Sequence, residues 1–390
     1  MDTPLKSSPH KFLLHKLNID HQFTFNNQNM KLHFSLLLLR CSAILCSAAL
    51  SDPYDTDGNI TIRWDIVFWT PDGYVATVNI TNYQKYRTVQ APGWKLGWTW
   101  SHRQVVWASM GARFLNHSDC SRFIGNIPLT CAKQPVAVDL MPDAPYNVQV
   151  AGCCKGGLLA SRFEGTERST AAFQISVGLD GTSNRTVSMP RNFTLQAPRG
   201  GYTCGPTKTV RPTRFISPDG RRVTQALVTW EVICKYSSYM AQTTPSCCVS
   251  LSSSDYKMNV ACPPYACGCT KRPCHNDHKC PLVVNWHREA KGGVRVSMTN
   301  SNINLNYSDW TLLVNHPSLN HLNYVSHAKY KRLSPNGVVF WGLKDDNQVI
   351  RTNSTIRWGV GLGGCNGDRW CSPRAIYFNG DQCVIPPRPK

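Results

Sequence analysis

Residues 73–107, GYVATVNITNYQKYRTVQAPGWKLGWTWSHRQVVW, open with strict alternation and then enter a tryptophan-rich segment. Tyr74, Ala76, Val78 and Ile80 fall on every second position, so they share one face of an extended strand. Polar and small residues occupy the positions between them. This pattern predicts a half-buried antiparallel strand that begins at a glycine turn.

Four tryptophans follow this strand. Trp98 and Trp100 are two positions apart and therefore share a face. Indole rings displayed on a flat sheet suit a ligand with flat apolar faces, such as the pyranose rings of a glucan. The same spacing fits the core of a β-sandwich, because tryptophan is usually mostly buried. We expect the rings to divide between the two locations. The predicted binding residues are Tyr74, Trp94, Trp98 and Trp100, with Trp64, Trp69 and Trp107 as weaker candidates.

Short strands and frequent turns dominate the rest of the chain. Ile60, Ile62, Trp64, Ile66 and Phe68 alternate, which predicts one face of a strand, and the following Pro-Asp-Gly predicts a turn. Further predicted strands are Val136–Leu140, Phe173–Val177, Ala226–Cys234, Val283–His287, Val294–Thr299 and Thr311–Asn315. No long helical periodicity occurs. The prediction is an all-β protein with two antiparallel β-sandwich domains and a disulfide-rich segment.

The chain of 390 residues is long enough for two such domains. A Gly- and Pro-rich stretch at 196–212 predicts the boundary between them. The expected divisions are an extension plus secretory signal at 1–50, a first sandwich at 51–200, a cysteine-rich second sandwich at 201–385 and a Pro-rich tail at 386–390. GYVATVNITN and GVRVSMTNSN each begin at a glycine turn, end near Thr-Asn and precede a tryptophan-led strand, which suggests a repeat.

The N-terminal region indicates secretion. Met30-Lys31 precedes an apolar run that ends in small residues near Ala49, so we expect Met30 to be the working start of a signal peptide. The formal net charge of +19 suits an anionic polysaccharide or an acidic surface in a secreted protein. A scattered basic surface without a dedicated partner is the alternative. Hydrophobic content of 42% and charged content of 17% exclude bulk disorder.

The cysteine content also indicates secretion. Of 18 cysteines, Cys41 and Cys46 leave with the signal, and the even remainder predicts a disulfide framework. The cluster at 262–280 also has zinc-site composition, but disulfides are favoured over metal. Adjacent cysteines at 153–154 and 247–248 are each expected to bridge elsewhere. Predicted glycosylation sites are Asn59, Asn79, Asn116, Asn184, Asn192, Asn306 and Asn353.

Catalytic patterns are weak. The glycine-rich run 359–364 is not followed by a helix that could hold a phosphate, so no dinucleotide site is predicted. A glycosidase needs two carboxylates beside a cleft. The scattered candidates are Asp65, Asp139, Asp143, Glu164, Glu167, Glu231 and Asp309. We predict no catalytic residues, no cofactor and no metal.

Longer motifs resemble a known family. The 73–107 pattern is similar to family 2 cellulose-binding modules. Residues from about 51 to 343, and again residues 373–387, resemble the COBRA family of plant cell-wall proteins. The carrying segments are NITIRWDIVFWTPDGYVATV, QAPGWKLGWTW, DLMPDAPYNVQVAGCCKGG, FQISVG, PRNFTLQAPRGGYTCGP, TPSCCVSLSS and PRAIYFNGDQCVIPP. Cys247, Cys248, Val249 and Ser250 match the CCVS signature of the family.

The resemblance implies a glycosylated, non-catalytic extracellular protein at the plasma membrane and wall. It would bind cellulose through its N-terminal module and promote cellulose deposition, microfibril organisation and oriented cell expansion or wall thickening. Nucleic acid is not an expected partner. The alternatives are a wall-modifying glycosidase and a basic protein that binds pectin-like polyanions.

The chain departs from the family pattern in three places. Family members end in a hydrophobic tail that directs a GPI anchor, whereas this chain ends in PPRPK, so as written we expect a secreted product. Residues 344–371 diverge from the family pattern and add Cys365 and Cys371. The cysteine-rich stretch after Cys262 is shorter than usual.

Overall fold

A computed structural model describes residues 52–116, 118–217, 219–241, 246–252, 282–289, 293–363 and 372–385. These residues belong to one compact unit. The expected signal region, the cysteine cluster at 262–280 and the tail at 386–390 lie outside them. In the described part, no helix has the length and apolar content needed to cross a membrane.

The N-terminal sheet pair consists of two sheets that share one core. Its strands are β1 Ile60–Thr70, β2 Gly73–Asn82, β3 Lys95–Thr99, β4 Val105–Met110, β5 Ala112–Phe114, β6 Val136–Asp139, β7 Thr170–Gly178, β8 Arg191–Gln196, β9 Gly200–Cys204, β10 Lys208–Val210, β11 Arg214–Ile216, β12 Val223–Gln225 and β13 Val228–Ala241. The larger sheet has the order β10-β13-β1-β2-β7-β4, with β9 also on β13, and the smaller has the order β5-β6-β3-β8. A separate hairpin joins β11 and β12.

The C-terminal sheet pair follows the same plan. Its strands are β14 Cys247–Ser252, β15 Leu282–Arg288, β16 Val294–Asn300, β17 Tyr307–Ser308, β18 Thr311–Asn315, β19 Leu322–Ser326, β20 Lys329–Ser334, β21 Gly337–Trp341, β22 Val349–Ile350, β23 Thr355–Leu362, β24 Ala375–Phe378 and β25 Asp381–Gln382. One sheet has the order β14-β15-β16-β23-β19 and the other β20-β21-β18-β24-β25. Helical turns are short, at Tyr146–Val148, Arg162–Glu164, Thr166–Ser169 and Pro317–His321.

The all-β prediction is confirmed, with two differences in detail. The strand β13 pairs with β1 over Ile60–Ile66, so the N-terminal sheet pair extends to Ala241 and the division does not fall at residue 200. The Gly- and Pro-rich stretch lies within the N-terminal sheet pair, because it leads from β8 of the smaller sheet to β9 and β10 of the larger one. In addition, β14 pairs with β15 in parallel, because a long connection separates them.

The suggested repeat appears as the same hydrogen-bond pattern in both sheet pairs. Asn82 at the end of β2 donates its side-chain N–H to the carbonyl of Arg87 at 2.8 Å and accepts from the backbone of Gln84 at 3.0 Å. Asn300 at the end of β16 donates to Leu305 at 2.7 Å and accepts from the backbone of residue 302 at 2.9 Å. The sequence offsets are identical. Both asparagines are fully buried, and each one pairs with backbone N–H and C=O groups of the loop that follows its strand.

Disulfide bonds occur within each sheet pair. They join Cys120–Cys131, Cys153–Cys154 and Cys204–Cys234 in the N-terminal pair and Cys247–Cys383 in the C-terminal pair. The expectation that adjacent cysteines bridge elsewhere is confirmed for Cys247. It is wrong for Cys153 and Cys154, which bond to each other. The chain turns sharply there, with a φ of 89° at Gly152 and 71° at Cys154. Backbone N–H groups within residues 154–157 donate to the carboxylate of Asp139 at 2.9–3.0 Å, and these bonds hold the turn together.

Polar contacts join the two sheet pairs. The hydroxyl of Thr311 donates to the carbonyl of Tyr86 at 2.6 Å, and the hydroxyl of Thr88 donates to the carbonyl of Asp309 at 3.0 Å. An apolar cluster that includes Tyr86 and Trp341 lies beside them. The loop after β2 therefore contacts the C-terminal half through hydrogen bonds and through an apolar cluster.

Candidate functional site

The expected stacking rings lie in the core of the N-terminal sheet pair. Tyr74, Trp94, Trp98 and Trp100 are each at most 2% exposed, as is Trp64. A ligand cannot stack on rings that solvent does not reach, so the prediction of a displayed face is wrong for these five. They lie in the core of the sandwich, which is the alternative location predicted from the same spacing.

Edge-to-face contacts hold these rings together. The ring of Trp64 lies 5.1 Å from Trp98, 6.0 Å from Trp100 and 6.0 Å from Phe193, at interplanar angles of 78–89°. Phe114 lies 5.9 Å from Trp98. Such pairs contribute about 0.5–1.5 kcal/mol each beyond their buried area. We call this group the buried ring cluster, and it fastens the smaller sheet onto the larger one.

The predicted alternation of β3 is correct, but its apolar side points inward. Leu96, Trp98 and Trp100 face the larger sheet, whereas Lys95 and Thr99 are partly exposed on the other side. The polar residues Lys95 and Thr99 alternate with the apolar ones, and this pattern indicates that the side of the strand with the tryptophans faces the core.

The weaker candidates Trp69 and Trp107 are only partly buried. Trp69 packs edge-on to Tyr74 at 6.5 Å and closes the end of the core. Trp107 lies on the opposite side of the larger sheet, above Gly178. A Cβ at position 178 would lie 1.9 Å from the indole Nε1 of Trp107. The glycine therefore provides the space in which this ring rests against the sheet.

Two further groups fix the orientation of Trp107. Its indole N–H donates to a carboxylate oxygen of Asp72 at 2.9 Å. The ring of Phe123 packs edge-to-face at 5.4 Å, and the guanidinium of Arg122 lies 5.0 Å from the centre of that ring. The disulfide Cys120–Cys131 closes the loop that carries both residues.

Phe68 displays a second ring on this side of the sheet. The sequence predicted that Phe68 shares the face of Ile66, but a β-bulge between them shifts the register. Phe68 consequently lies opposite Val75, on the solvent side, and is 62% exposed. A second bulge, between Val106 and Ala108, contains Trp107. Bulges commonly redirect side chains in this way.

The strand register assembles a continuous row between the two rings. Phe68 lies opposite Val75, Val75 opposite Ser176, and Ser176 opposite Ala108. The next row contains Thr77, Gln174 and Met110. At about 4.8 Å per strand, the row spans about 14 Å from β1 to β4. The outer face is defined here as Phe68, Val75, Thr77, Trp107, Ala108, Met110, Gln174 and Ser176.

The outer face combines apolar and hydrogen-bonding groups, and the one carboxylate opposite Thr77, that of Asp65, is buried and accepts a hydrogen bond from Thr229. Apolar side chains occupy both ends and part of the middle, and the hydroxyls and amide of Thr77, Ser176 and Gln174 lie between them. Dispersion contacts with rings and hydrogen bonds from short polar side chains are the two interactions that a sugar ring accepts. The ion pair between Arg63 and Glu231, at 2.9 Å, marks the charged border of the same sheet side.

The predicted glycosylation residues differ in accessibility. Asn184, Asn192, Asn306 and Asn353 are exposed, whereas Asn59, Asn79 and Asn116 are partly buried. The side chain of Asn116 is engaged on both sides, since it donates to the carbonyl of Gln134 and accepts from the backbone of Val136 at 2.9 Å. Asn79 lies on the solvent side of β2 and donates to Asp65 at 3.4 Å.

The carboxylates considered for catalysis are mostly structural. Asp65 accepts from the hydroxyl of Thr229 at 2.6 Å, and Asp139 holds the turn at residues 154–157. Glu164 and Asp309 come together between the sheet pairs. Burial, together with the nearby charge of Asp309, raises the pKa of Glu164 to about 8.

Asp309 is also buried, which raises its pKa above the usual range, although contacts with Arg168 and Gln348 oppose this effect. Its carboxylate is therefore engaged in a contact between the two sheet pairs, through Arg168 of the N-terminal one. Among the described residues, no group of three or more His, Cys, Asp or Glu side chains could hold a metal ion. The CCVS signature, at 247–250, forms most of β14, whose cysteines are both disulfide-bonded.

Comparisons with known proteins agree with this architecture. Residues 74–237 match the model of the COBRA N-terminal domain. The match begins at the second residue of β2 and ends within β13, so it covers the outer-face strands β2, β4 and β7, whereas β1 lies before it. COBRA-like protein 1 of Oryza sativa subsp. japonica is 43% identical, with 92% of this chain and 90% of that protein covered. Protein COBRA of Arabidopsis thaliana is 40% identical, with 90% and 88% covered.

COBRA-like protein 4 of Arabidopsis thaliana is likewise 40% identical, with 88% of this chain and 90% of that protein covered. The similarity thus extends through both sheet pairs and is not confined to the N-terminal domain. Identity at this level over nearly the whole length shows common ancestry, and this chain belongs to the COBRA family.

Proposed function

We propose that this protein is a non-catalytic extracellular cell-wall protein that binds cellulose and promotes its deposition, the organisation of microfibrils and oriented cell expansion or wall thickening. Family membership supports the role in the wall. The disulfides support a route through the secretory pathway to the wall or the outer face of the plasma membrane, because such bonds persist in oxidising compartments.

The contact with cellulose is assigned to the outer face instead of the buried ring cluster. The observation that carries this assignment is Trp107, whose indole ring rests on Gly178 and is oriented by Asp72 on the solvent side of the larger sheet. Phe68 provides a second ring about three strands away. An open row of this kind matches an extended glucan chain better than a closed pocket does.

Retention on crystalline cellulose tests the proposal. The secreted protein is compared with the double variant Phe68→Ser/Trp107→Ala, which removes both exposed rings. The matched control is Tyr330→Ala, which removes a ring that is 45% exposed on the C-terminal sheet pair. We expect the double variant to lose retention and the control to keep it. Equal retention by all three proteins contradicts the assignment.

A wall-modifying glycosidase is the second candidate, and the proximity of Glu164 and Asp309 favours it. A raised pKa keeps Glu164 protonated at neutral pH, as a general acid requires. Release of reducing ends from soluble glucan by the wild type, abolished in Glu164→Gln, supports an enzyme. Absence of release by the wild type eliminates this candidate.

A further inference from the structure

One predicted glycosylation residue, Asn79, lies on the same side of the larger sheet as the outer face. It opens the tripeptide Asn-Ile-Thr near the end of β2, and Thr81 supplies the hydroxyl that this acceptor motif requires. Val75 and Asn79 both alternate with buried residues along β2, so both side chains lie on the solvent side. A group attached to Asn79 therefore projects from the side of the sheet that carries Phe68 and Trp107.

The residues opposite Asn79 on the neighbouring strands place no long side chain over it. On β1, Arg63 lies opposite Asn79, but its guanidinium pairs with Glu231 of β13 at 2.9 Å and thus extends away from β2. On β7, Ala172 lies opposite and ends in a methyl group. The Asn79 side chain is only partly buried between these two neighbours, so an attached sugar would continue outward into solvent.

The one hydrogen bond that the Asn79 amide donates in the fold is compatible with modification. Its Nδ2 donates to a carboxylate oxygen of Asp65 at 3.4 Å. A side-chain amide nitrogen carries two hydrogens, and an N-glycosidic bond replaces one of them. The other hydrogen can still be donated to Asp65, so a glycan does not require this contact to break.

We propose that Asn79 carries an N-linked glycan and that this glycan covers the outer face, so that only molecules without it rest on cellulose through both rings. The Nδ2 of Asn79 forms a bond to the anomeric carbon of an oligosaccharide that a lipid pyrophosphate carries. The bond from that carbon to the pyrophosphate breaks, and one amide proton is released. The inference rests on the proposed function, because it requires both the secretory route and the cellulose contact on this side of the sheet.

The conflict between the glycan and cellulose is geometric. Val75 lies in the row that joins Phe68 to Trp107. Asn79 is four positions further along β2, about 14 Å away at about 3.4 Å per residue. A crystalline cellulose surface is much wider than this distance, so a surface that rests on both rings also extends over Asn79. A glycan is bulky and solvated, and at this position it holds the cellulose surface away from the rings.

Two substitutions at Thr81 separate the effect of the glycan from that of the Asn79 side chain. Thr81→Val removes the hydroxyl of the acceptor motif, whereas the matched control Thr81→Ser keeps a hydroxyl and hence the motif. Both variants leave Asn79 in place. The hydroxyl of Thr81 also contacts that of Thr170 at 3.3 Å, and valine loses this contact. If Thr81→Val does not fold, Asn79→Gln replaces it, because it removes the acceptor and keeps an amide.

The full-length proteins are secreted from a eukaryotic host and compared in two measurements. Mass spectrometry of the peptide that contains Asn79 gives the modified fraction, which we expect to be present in the wild type and in Thr81→Ser and absent in Thr81→Val. Retention on crystalline cellulose should be about tenfold higher for Thr81→Val than for Thr81→Ser. The wild-type molecules that bind cellulose should be depleted in the Asn79 glycan.

Two results overturn the inference alone. They are an unmodified Asn79 in the wild-type protein, and equal retention of the modified and unmodified forms when Thr81→Val is retained. A folded Thr81→Val that is not retained contradicts the proposed function, and this inference with it. Because the modified fraction is measured without cellulose, a missing glycan and a missing cellulose contact give different results.

Discussion

The buried ring cluster and the outer face use the same residue types for opposite purposes. In the cluster, Trp64, Trp98 and Trp100 contact one another edge-to-face and exclude water. On the outer face, Trp107 lies against a glycine, with its indole N–H held by Asp72. The difference shows that a bulge and a glycine can place a tryptophan on the solvent side of a sheet instead of in the core.

The largest expected effect is on stability, from Trp98→Ala. Removing this ring leaves a cavity among four aromatic neighbours and should lower the free energy of unfolding by about 3–5 kcal/mol. Trp107→Ala should cost about 1 kcal/mol, because its ring is partly exposed and loses one hydrogen bond. Chemical denaturation of both variants checks this. Equal losses would mean that the two regions are not distinct.

Gly178→Ala should disturb the outer face through its support. The added methyl would lie within 2.6 Å of both the indole ring of Trp107 and the carboxylate of Asp72, so the ring must move. We expect a stability loss of about 1–3 kcal/mol and weaker retention on cellulose. Gly205→Ala is the matched control, since a Cβ there meets its nearest atom at 3.6 Å. Unchanged retention in Gly178→Ala would show that the position of Trp107 is immaterial.

Asp72→Ala should have a smaller effect, because it removes the acceptor and leaves the ring. Without that bond, the indole loses one of its two orienting contacts, and binding to cellulose should weaken by a few-fold, equivalent to about 0.5–1 kcal/mol. A binding isotherm on cellulose measures the change. A loss as large as that of Trp107→Ala would mean that the carboxylate itself contacts the ligand.

The smallest expected effect is that of salt. Contacts made by rings and neutral side chains respond little to ionic strength, so retention on cellulose should be nearly constant between about 0.05 M and about 0.5 M salt. Binding to a pectin-like polyanion through the basic surface should fall steeply over the same range, because exposed charges are screened. Cellulose retention that falls in parallel would assign the contact to charge.

The sequence predicted strands better than it predicted which residues face solvent. The alternation in β2 and the Thr-Asn ending both appear in the structure, because periodicity and local hydrogen bonding are properties of short segments. Phe68 follows an unbroken alternation, but the bulge after Ile66 reverses its side, and a single residue of slip is enough to do this.

The outer face depends on register between distant segments, which no local pattern contains. Phe68, Ser176 and Ala108 form one row only because β1, β2, β7 and β4 pair in that order. Trp107 was predicted only as a weaker candidate, and the glycine that supports its ring lies 71 positions later in the chain. Likewise, the disulfide Cys153–Cys154 follows from a turn built around Asp139, and cysteine spacing alone does not indicate that turn.

The most direct test compares Trp107→Ala with Trp98→Phe for retention on crystalline cellulose. Trp98→Phe keeps an aromatic ring in the core and alters no solvent-facing atom, whereas Trp107→Ala removes the ring above Gly178. Both are compared as folded, secreted proteins of full length. The account predicts that Trp107→Ala loses retention by about tenfold and that Trp98→Phe keeps it. The reverse result would return the binding role to the buried ring cluster and contradict the assignment to the outer face.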